Sequence, residues 1–249
     1  MKLKNITLRN IQKVVDIFGA RGGPVDLPVL VKVPAGQNVL ILAPHFDDET
    51  IGCGGTIRKH ILRGNRVCVV YVTDGRKGIP ELRDKKKVTE IRREESKRAM
   101  EILGVKDIYY LDEIDMAKGI KVNSITALSK IIDQIKPDLI YLPWFLDNHV
   151  DHVKTNELLR RVYETSDRKF NVCAYEVWTP IIPNMVVDIG EIIELKKKAL
   201  SCFESQLKQV DYLSTAIALN RYRSCYIHGG RSFVEAFLYL KAQEYFSLF

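Results

Sequence analysis

From residue 38 onward, the chain alternates short apolar runs with longer stretches of mixed polarity. The runs at 39–42 (Val-Leu-Ile-Leu) and 66–73 (Arg-Val-Cys-Val-Val-Tyr-Val-Thr) are typical of strands that a parallel sheet buries on both faces. Further strands are predicted at 107–111, 138–142, 171–178 and near Met185. Helices are predicted at 51–63, 87–103, 124–136, 149–163 and 191–203, and the segment 210–249 is predicted to be mainly helical.

This alternation of strands and helices predicts an α/β fold: a doubly wound, mostly parallel (Rossmann-like) sheet with helices on both faces. Ligands bind such sheets at the carboxyl ends of the strands. Polar side chains that directly follow a strand are therefore the candidates for a functional site.

The amino-terminal part of the chain has a different pattern. A short amphipathic stretch at 6–18 is followed by Gly-Ala-Arg-Gly-Gly-Pro, which is typical of a loop. We therefore expect an amino-terminal extension over residues 1–36 and a single domain over residues 37–249.

The composition is that of an ordinary globular protein, since 46% of the 249 residues are hydrophobic and 28% are charged. The net charge of +7 favours anionic partners, or simply reflects a solvated basic surface. The five cysteines include no Cys-x-x-Cys pair, which argues against a disulfide framework and predicts reduced thiols in the cytoplasm. No segment approaches the ~20 apolar residues of a transmembrane helix. A homo-oligomer is compatible with the sequence.

The first candidate cluster directly follows the strand at 39–42. Here His45 is followed by three consecutive carboxylates, Asp47, Asp48 and Glu49. Burying an unpaired carboxylate costs several kcal/mol, and a cation would remove that cost. A histidine and an aspartate three residues apart suit Zn²⁺. The alternative is an acidic turn that caps the next helix, but capping explains one aspartate and not the histidine.

The second cluster follows the strand at 138–142. His149 and His152 lie three residues apart at the start of a predicted helix, so they share one face of it. Surface histidines in a polar cap are the alternative interpretation. Together, two His/Asp clusters at the carboxyl ends of two strands predict a metal site with three protein ligands and one open position, as in catalytic zinc sites.

The segments Pro-His-Phe-Asp-Asp-Glu (44–49), Gly-Cys-Gly-Gly-Thr (52–56) and His-Val-Asp-His (149–152) resemble the LmbE-like (PIG-L) zinc-dependent N-deacetylases. The resemblance runs from about residue 38 to 240. It implies an enzyme that removes the acetyl group from an N-acetylated amino sugar of the N-acetylglucosamine type. The sugar in this family belongs to a glycan, a glycolipid or a thiol or nucleotide-sugar precursor, so a phosphate or lipid on the substrate is compatible with the resemblance. Phe46 and Val150 stand where the family usually has proline.

The same resemblance implies a role for each matching residue. His45, Asp48 and His152 would hold one Zn²⁺ per chain. Asp47 would be the general base. His149 would be a cation that faces the oxyanion and protonates the leaving amine, and the Asp151 carboxylate would orient it.

Arg92 and Glu95 project from the apolar stripe of the helix predicted at 87–103, which predicts a buried ion pair between them. Such a pair is costly unless it serves a purpose, although purely structural pairs are known. The resemblance favours Arg92 as a sugar-binding residue. Asp74 and Asp115 are weaker candidates for substrate binding, since both also suit ordinary turns. The basic residues of segment 208–231 suit either a phosphate or a solvated edge.

Three other classes of protein fit the sequence less well. A dinucleotide-binding oxidoreductase is disfavoured, because the glycines do not have the G-x-G-x-x-G spacing and the three carboxylates would repel a pyrophosphate. A nucleic-acid or other anion-binding module would leave both His/Asp clusters unexplained, so no nucleic-acid partner is expected. A phosphoester-cleaving metalloenzyme is the nearest alternative, but such sites commonly use two metal ions.

Overall fold

The computed structural model describes residues 27–116, 119–165 and 167–249, so the amphipathic stretch predicted at 6–18 lies outside the described residues. Eight strands form one sheet in the order β1-β7-β8-β6-β5-β2-β3-β4. The strands are β1 (Val29–Val31), β2 (Asn38–Ala43), β3 (Arg66–Thr73), β4 (Asp107–Glu113), β5 (Leu139–Pro143), β6 (Asn171–Tyr175), β7 (Met185–Asp188) and β8 (Val234–Lys241).

Helices connect the strands and cover both faces of the sheet. They are α1 (Asp48–Leu62), α2 (Lys85–Leu103), α3 (Val122–Ile135), α4 (Val150–Glu164), α5 (Ile193–Leu200), α6 (Glu204–Leu207), α7 (Tyr212–Arg223), α8 (Cys225–His228) and α9 (Ala242–Phe246). The predicted α/β class with a doubly wound, mostly parallel sheet is confirmed.

The alternating faces of the central strand explain the two-sided core. Val39 and Ile41 of β2 pack into one hydrophobic cluster, while Leu40 and Leu42 pack into the cluster on the opposite face. All four side chains are fully buried. An uninterrupted apolar run is what such a strand requires.

The chain reverses its direction of winding between β2 and β5. From β2 it continues outward through β3 and β4, while β5, on the other side of β2, leads outward to β6. The carboxyl ends of two neighbouring parallel strands thus diverge into different loops, which opens a crevice between them.

Two parts of the sheet differ from the sequence-based prediction. The prediction of a mainly helical segment at 210–249 is wrong for Val234–Lys241, which forms an antiparallel strand between β6 and β7. Its run Val-Glu-Ala-Phe-Leu-Tyr-Leu mixes helix and strand formers, and a short apolar run has no periodicity that separates the two. Val29–Val31 pairs with β7, so the predicted boundary at residue 36 falls after a strand of the sheet.

Helix α1 is interrupted in its first half. Cys53 has non-helical backbone angles (φ −144°, ψ 20°), which separates the turn carrying Asp48 from the rest of the helix. Just before the break, a Cβ on Gly52 would stand 2.2 Å from the ring of Tyr175. The absence of a side chain at Gly52 therefore lets this turn lie directly against β6.

A buried ion pair between Lys196 and Glu235 forms hydrogen bonds with main-chain groups on both sides of that break. We call this pair the α1 clamp. Glu235 accepts hydrogen bonds from the main-chain N–H groups of Gly55 (2.8 Å) and Thr56 (2.7 Å). Lys196 Nζ donates to the carbonyl oxygen of Ile51 (2.8 Å) and to Glu235 Oε1 (2.7 Å). Main-chain groups that lose their helical partners at a break need others, and the two charged side chains supply them.

Candidate active site and metal centre

Both His/Asp clusters lie at the crevice between β2 and β5. The first occupies the short loop after β2 and the first turn of α1, and the second lies between β5 and the first turn of α4. Because β2 and β5 are parallel neighbours, their carboxyl ends bring together residues that are about one hundred positions apart in the sequence.

Asp48 lies between two histidine rings. Its Oδ2 atom is 3.1 Å from His45 Nδ1 and 3.2 Å from His152 Nε2, and it also accepts the main-chain N–H of His45 at 2.8 Å. Burial alone would raise the pKa of Asp48, but the two neighbouring histidines hold it well below its usual value. Asp48 is therefore a carboxylate with one oxygen directed at two imidazoles.

His152 is fully buried, and neither of its ring nitrogens makes a well-oriented hydrogen bond among the described residues. Nδ1 lies 3.2 Å from Asp147 Oδ1, and Nε2 faces Asp48. Buried polar atoms rarely lack partners, so a ligand is expected at Nε2. Asp147 was not singled out as a functional residue from the sequence. It faces the second ring nitrogen of His152, the position from which a carboxylate commonly orients a metal-binding histidine.

Two groups of side chains in the described residues could hold a metal ion. In the first, His45, His149 and His152 each offer a nitrogen, and these atoms lie within 4.8 Å of one another. In the second, His45 is joined by Asp115 and Asp151. Imidazole nitrogens together with carboxylate oxygens are the donor set of catalytic zinc sites, so the residues present fit such an ion.

His149 caps helix α4 with its own side chain. Its Nδ1 atom accepts the main-chain N–H of Asp151 at 3.2 Å. A nitrogen that accepts a hydrogen bond carries no proton, so the ring is neutral, with its proton on Nε2. Burial lowers the pKa of His149, and the neighbouring His45 and His152 lower it further. In this geometry His149 is a hydrogen-bond donor through Nε2, and the cationic role that the resemblance implies for it during catalysis stays a prediction.

The Asp151 carboxylate hydrogen-bonds to groups other than the His149 ring among the described residues. Its Oδ2 atom lies 3.3 Å from His45 Nε2 and accepts the main-chain N–H of Met116 at 2.9 Å, while Oδ1 accepts from Lys154 at 2.7 Å. The His149 ring instead accepts the main-chain N–H of Asp151, so the predicted orienting role of the carboxylate stays a prediction. In this geometry the carboxylate supports His45.

Arg92 reaches the site, but its partner differs from the prediction. Its Nη2 atom lies 3.1 Å from Asp47 Oδ1, and both side chains are buried. Glu95 is also buried but points elsewhere, since it accepts from the main-chain N–H and the hydroxyl of Ser205. The expected Arg92–Glu95 pair is therefore wrong. Gly75 (φ +59°) leaves room for the guanidinium, because a Cβ there would lie 2.9 Å from Arg92 Nη1.

Each of the three consecutive carboxylates that follow β2 is stabilised differently in its buried position. Two histidines face Asp48, and Arg92 faces Asp47. Burial raises the pKa of Asp47, and Arg92 opposes that rise in part. Burial raises the pKa of Glu49 to about 8, so this group is largely protonated at neutral pH. Adjacent carboxylates can therefore be buried here without three uncompensated charges.

These residues surround a cavity of about 140 Å³. Six predicted residues line it: His45, Asp47, Asp48, Arg92, Asp115 and His149. Sequence reasoning missed five further lining residues that carry large side chains: Lys77, Met116, Trp178, Gln206 and Tyr212. Trp178 lies three residues after the end of β6, so the rule that ligands bind at strand ends could have found it. Tyr212 comes from a distant helix, which no local pattern connects to the site.

The remaining weak candidates lie away from this cavity. Asp74 is not among the described residues that line it; its carboxylate pairs with Arg76 (2.6 Å) and accepts the main-chain N–H of Asp115 (3.3 Å). In the basic segment 208–231, the side chain of Arg223 pairs with Glu176. Among the described residues, no helix is long and apolar enough to span a membrane.

Comparison with solved structures relates this geometry to known folds. The N,N'-diacetylchitobiose deacetylase from Pyrococcus horikoshii, solved with an inhibitor, superposes with a TM-score of 0.73 at 24% identity, over 96% of this chain and 95% of that chain. The 4-carboxy-2-hydroxymuconate hydratase GalB from Pseudomonas putida KT2440 gives a TM-score of 0.71 at 20% identity, over 81% of this chain and 95% of that chain. These similarities establish the fold, and the hydratase shows that the fold alone does not determine the reaction.

The sequence comparisons are more specific. The profile of the PIG-L family, described as GlcNAc-PI de-N-acetylase, matches residues 40–163, a stretch that includes both His/Asp clusters. The diacetylchitobiose deacetylase of Thermococcus kodakarensis is 30% identical over 215 residues, which cover 78% of this chain and 79% of the relative. The chain therefore belongs to the PIG-L (LmbE-like) family.

Proposed function

We propose that this protein is a zinc-dependent hydrolase that removes the acetyl group from the nitrogen of an amino sugar of the N-acetylglucosamine type. The products are acetate and the free amine. The observation that carries the proposal is the cluster of His45, Asp48 and His152 next to Asp47 on a cavity, in a member of this family. The Thermococcus relative, named a diacetylchitobiose deacetylase, supports an N-acetylated sugar as the substrate.

Zinc suits the imidazole and carboxylate donors present. We assign His45, Asp48 and His152 as its ligands, because one oxygen of Asp48 already faces both rings. A bound zinc ion would supply Lewis acidity at the amide that is to be cleaved. Asp147 would fix the orientation of His152, since it faces the other ring nitrogen.

Asp47 is assigned as the general base. It lines the cavity and adjoins a ligand. Burial raises its pKa, which brings a carboxylate closer to the basicity that proton abstraction at neutral pH requires. Arg92 Nη2 lies 3.1 Å from the carboxylate, which fixes its position and opposes the rise in its pKa. Asp47 would take a proton from the attacking water and return it to the amine nitrogen as the C–N bond breaks.

His149 is assigned as a hydrogen-bond donor to the carbonyl oxygen. With Nδ1 occupied by the main-chain N–H of Asp151, the proton resides on Nε2. A positioned donor at a developing oxyanion commonly contributes about 3–4 kcal/mol to the lowering of the barrier. A neutral ring can make this contribution without a second positive charge beside the metal ion.

The proposal is tested by incubating the purified protein with free N-acetylglucosamine, diacetylchitobiose and nucleotide- and lipid-linked N-acetyl sugars, and by measuring released acetate. We expect release that is lost after chelation and restored by zinc. Asp47→Asn should keep its metal and lower kcat by about 10²–10⁴-fold. Asp107→Asn, a change to a partly exposed carboxylate on β4, is the matched control.

A zinc-loaded protein that releases no acetate from any of these substrates would refute the proposed function. Near-normal turnover by Asp47→Asn would refute the assignment of the base alone. The substrate panel also addresses the phosphate- or lipid-bearing substrate, which stays a prediction. A homo-oligomer and a cytoplasmic location likewise stay predictions.

A further inference from the structure

A second cavity of about 260 Å³ adjoins the active-site cavity. We call it the side pocket; its apolar walls include Ile51, Val177, Trp178, Val210, Tyr212 and Leu219. Four of these residues (Ile51, Val177, Trp178 and Tyr212) also line the active-site cavity, so the two spaces share a wall. A cavity of about 150 Å³ is enough for a benzene-sized molecule, so the side pocket can hold a larger group.

The carboxylate and the amide side chain of the side pocket are already occupied by bonds within the protein. Both oxygens of Glu176 are bonded to Arg223 (3.0 and 2.5 Å). Asn220 accepts from Lys196 and donates to the carbonyl oxygen of Val234. A ligand in this pocket therefore meets aliphatic and aromatic surface and no unpaired charge.

The rim of the side pocket exposes apolar surface to solvent. Trp178 is 49% exposed and Val210 is 37% exposed, although both border a cavity. Apolar surface that gathers beside a binding site marks a place where a ligand covers it. Trp178 also packs edge-on against Tyr212, with ring centroids 5.8 Å apart, which gives the shared wall a firm aromatic surface.

We propose that the side pocket binds an alkyl or acyl chain of several carbons that is attached to the amino-sugar substrate. This inference rests on the proposed function, because the chain would enter from the sugar bound at the neighbouring site. An acetyl group is too small to need such a pocket. The chain could be carried by the amide nitrogen or by the glycosidic oxygen, and the chemistry of the pocket is the same for both.

Binding is measured first, by calorimetry on zinc-loaded Asp47→Asn, with the methyl and octyl β-glycosides of N-acetylglucosamine and with N-acetyl- and N-octanoylglucosamine. We expect the octyl or octanoyl compound to bind at least ~10-fold more tightly than its short partner, because each buried methylene contributes about fourfold. The pair that shows the difference identifies which position carries the chain.

Val210→Trp and Leu219→Trp, placed in the same Asp47→Asn protein, should fill the pocket and reduce the long-chain advantage to less than ~2-fold. The matched control is Val122→Trp, because Val122 is exposed on α3 and lines neither cavity. Equal affinity for short and long chains in both pairs, or no measurable binding of the long-chain compounds, overturns the inference. Chain-length selectivity without acetate or octanoate release by the Asp47-containing enzyme would preserve the pocket and refute the hydrolase assignment.

Discussion

At the scale of single residues, two of the candidate metal-ligand sets differ in one residue only. His45 and His152 belong to both, and the third ligand is either Asp48 or His149. Since His149 uses one ring nitrogen to cap helix α4, and Asp48 directs one oxygen at both shared rings, we assign Asp48.

We therefore predict opposite effects of Asp48→Ala and His149→Ala on metal content. Loss of a ligand should weaken zinc binding by more than about 100-fold, since supporting residues alone account for about 10–100-fold. His149→Ala should retain zinc and lose activity. Competition with a zinc chelator, followed by elemental analysis, measures both variants. Zinc loss in His149→Ala with zinc retained in Asp48→Ala would establish the three-histidine set.

Arg92 and Glu95 provide a matched comparison on one helix. Both are buried, but only Arg92 lines the active-site cavity. Arg92→Met should lower kcat/KM about 10- to 100-fold, equivalent to one charge-assisted hydrogen bond, with zinc content unchanged. Glu95→Gln weakens the contact with Ser205 and should cost about 1–2 kcal/mol of unfolding free energy without a selective loss of activity.

Kinetics and urea unfolding on the two variants distinguish a functional from a structural Arg92. If Arg92→Met kept wild-type kcat/KM and only lost stability, Arg92 would be part of the scaffold. The sequence predicted that both side chains are buried, because they fall on the apolar stripe of the helix. Their partners depend on which loop lies opposite each one, and no local pattern contains that information.

At the scale of elements, a buried histidine joins helix α1 to strand β5. His60 is fully buried, and its Nε2 atom lies 2.9 Å from the hydroxyl of Tyr141. Burial lowers the pKa of His60 to about 4. In the unfolded chain His60 has a pKa of 6.5, so it becomes protonated as the pH falls below that value. In the folded protein it becomes protonated only as the pH approaches 4.

The contribution of neutral His60 to the free energy of unfolding should therefore be fully present above pH 6.5 and be lost as the pH falls toward 4. The expected loss is about 3 kcal/mol, from ~1.4 kcal/mol for each pKa unit. Urea unfolding of the wild type and His60→Gln across this range measures the difference between them. The wild-type advantage should shrink as the pH falls, and two parallel stability curves would contradict the assignment.

The secondary structure that surrounds the site could be predicted from the sequence to a large extent. Strand β3 was predicted with its observed ends, because a continuous apolar run bounded by polar residues leaves few alternatives. Strand β8 was missed for the opposite reason. Its residues suit a helix equally well, and pairing with β6 and β7 decides its conformation.

At the scale of the whole molecule, the order of the strands accounts for the position of the site. The rule that ligands bind at the carboxyl ends of parallel strands predicted one functional edge of the sheet. That β2 and β5 are neighbours follows from long-range pairing, which the sequence pattern does not encode. The same holds for Tyr212, whose helix reaches the cavity only in the assembled fold.

The α1 clamp also bears on the order in which the turn that carries Asp48 gains its partners during synthesis of the chain. The turn that carries Asp48 lies in the first quarter of the sequence, but Lys196 and Glu235, which bond to the main chain at the break behind it, lie in the last quarter. A nascent chain that has folded only as far as β6 holds both His/Asp clusters and still lacks these two partners. The ribosome thus delivers the candidate metal donors well before the residues that hold the Asp48 turn in place.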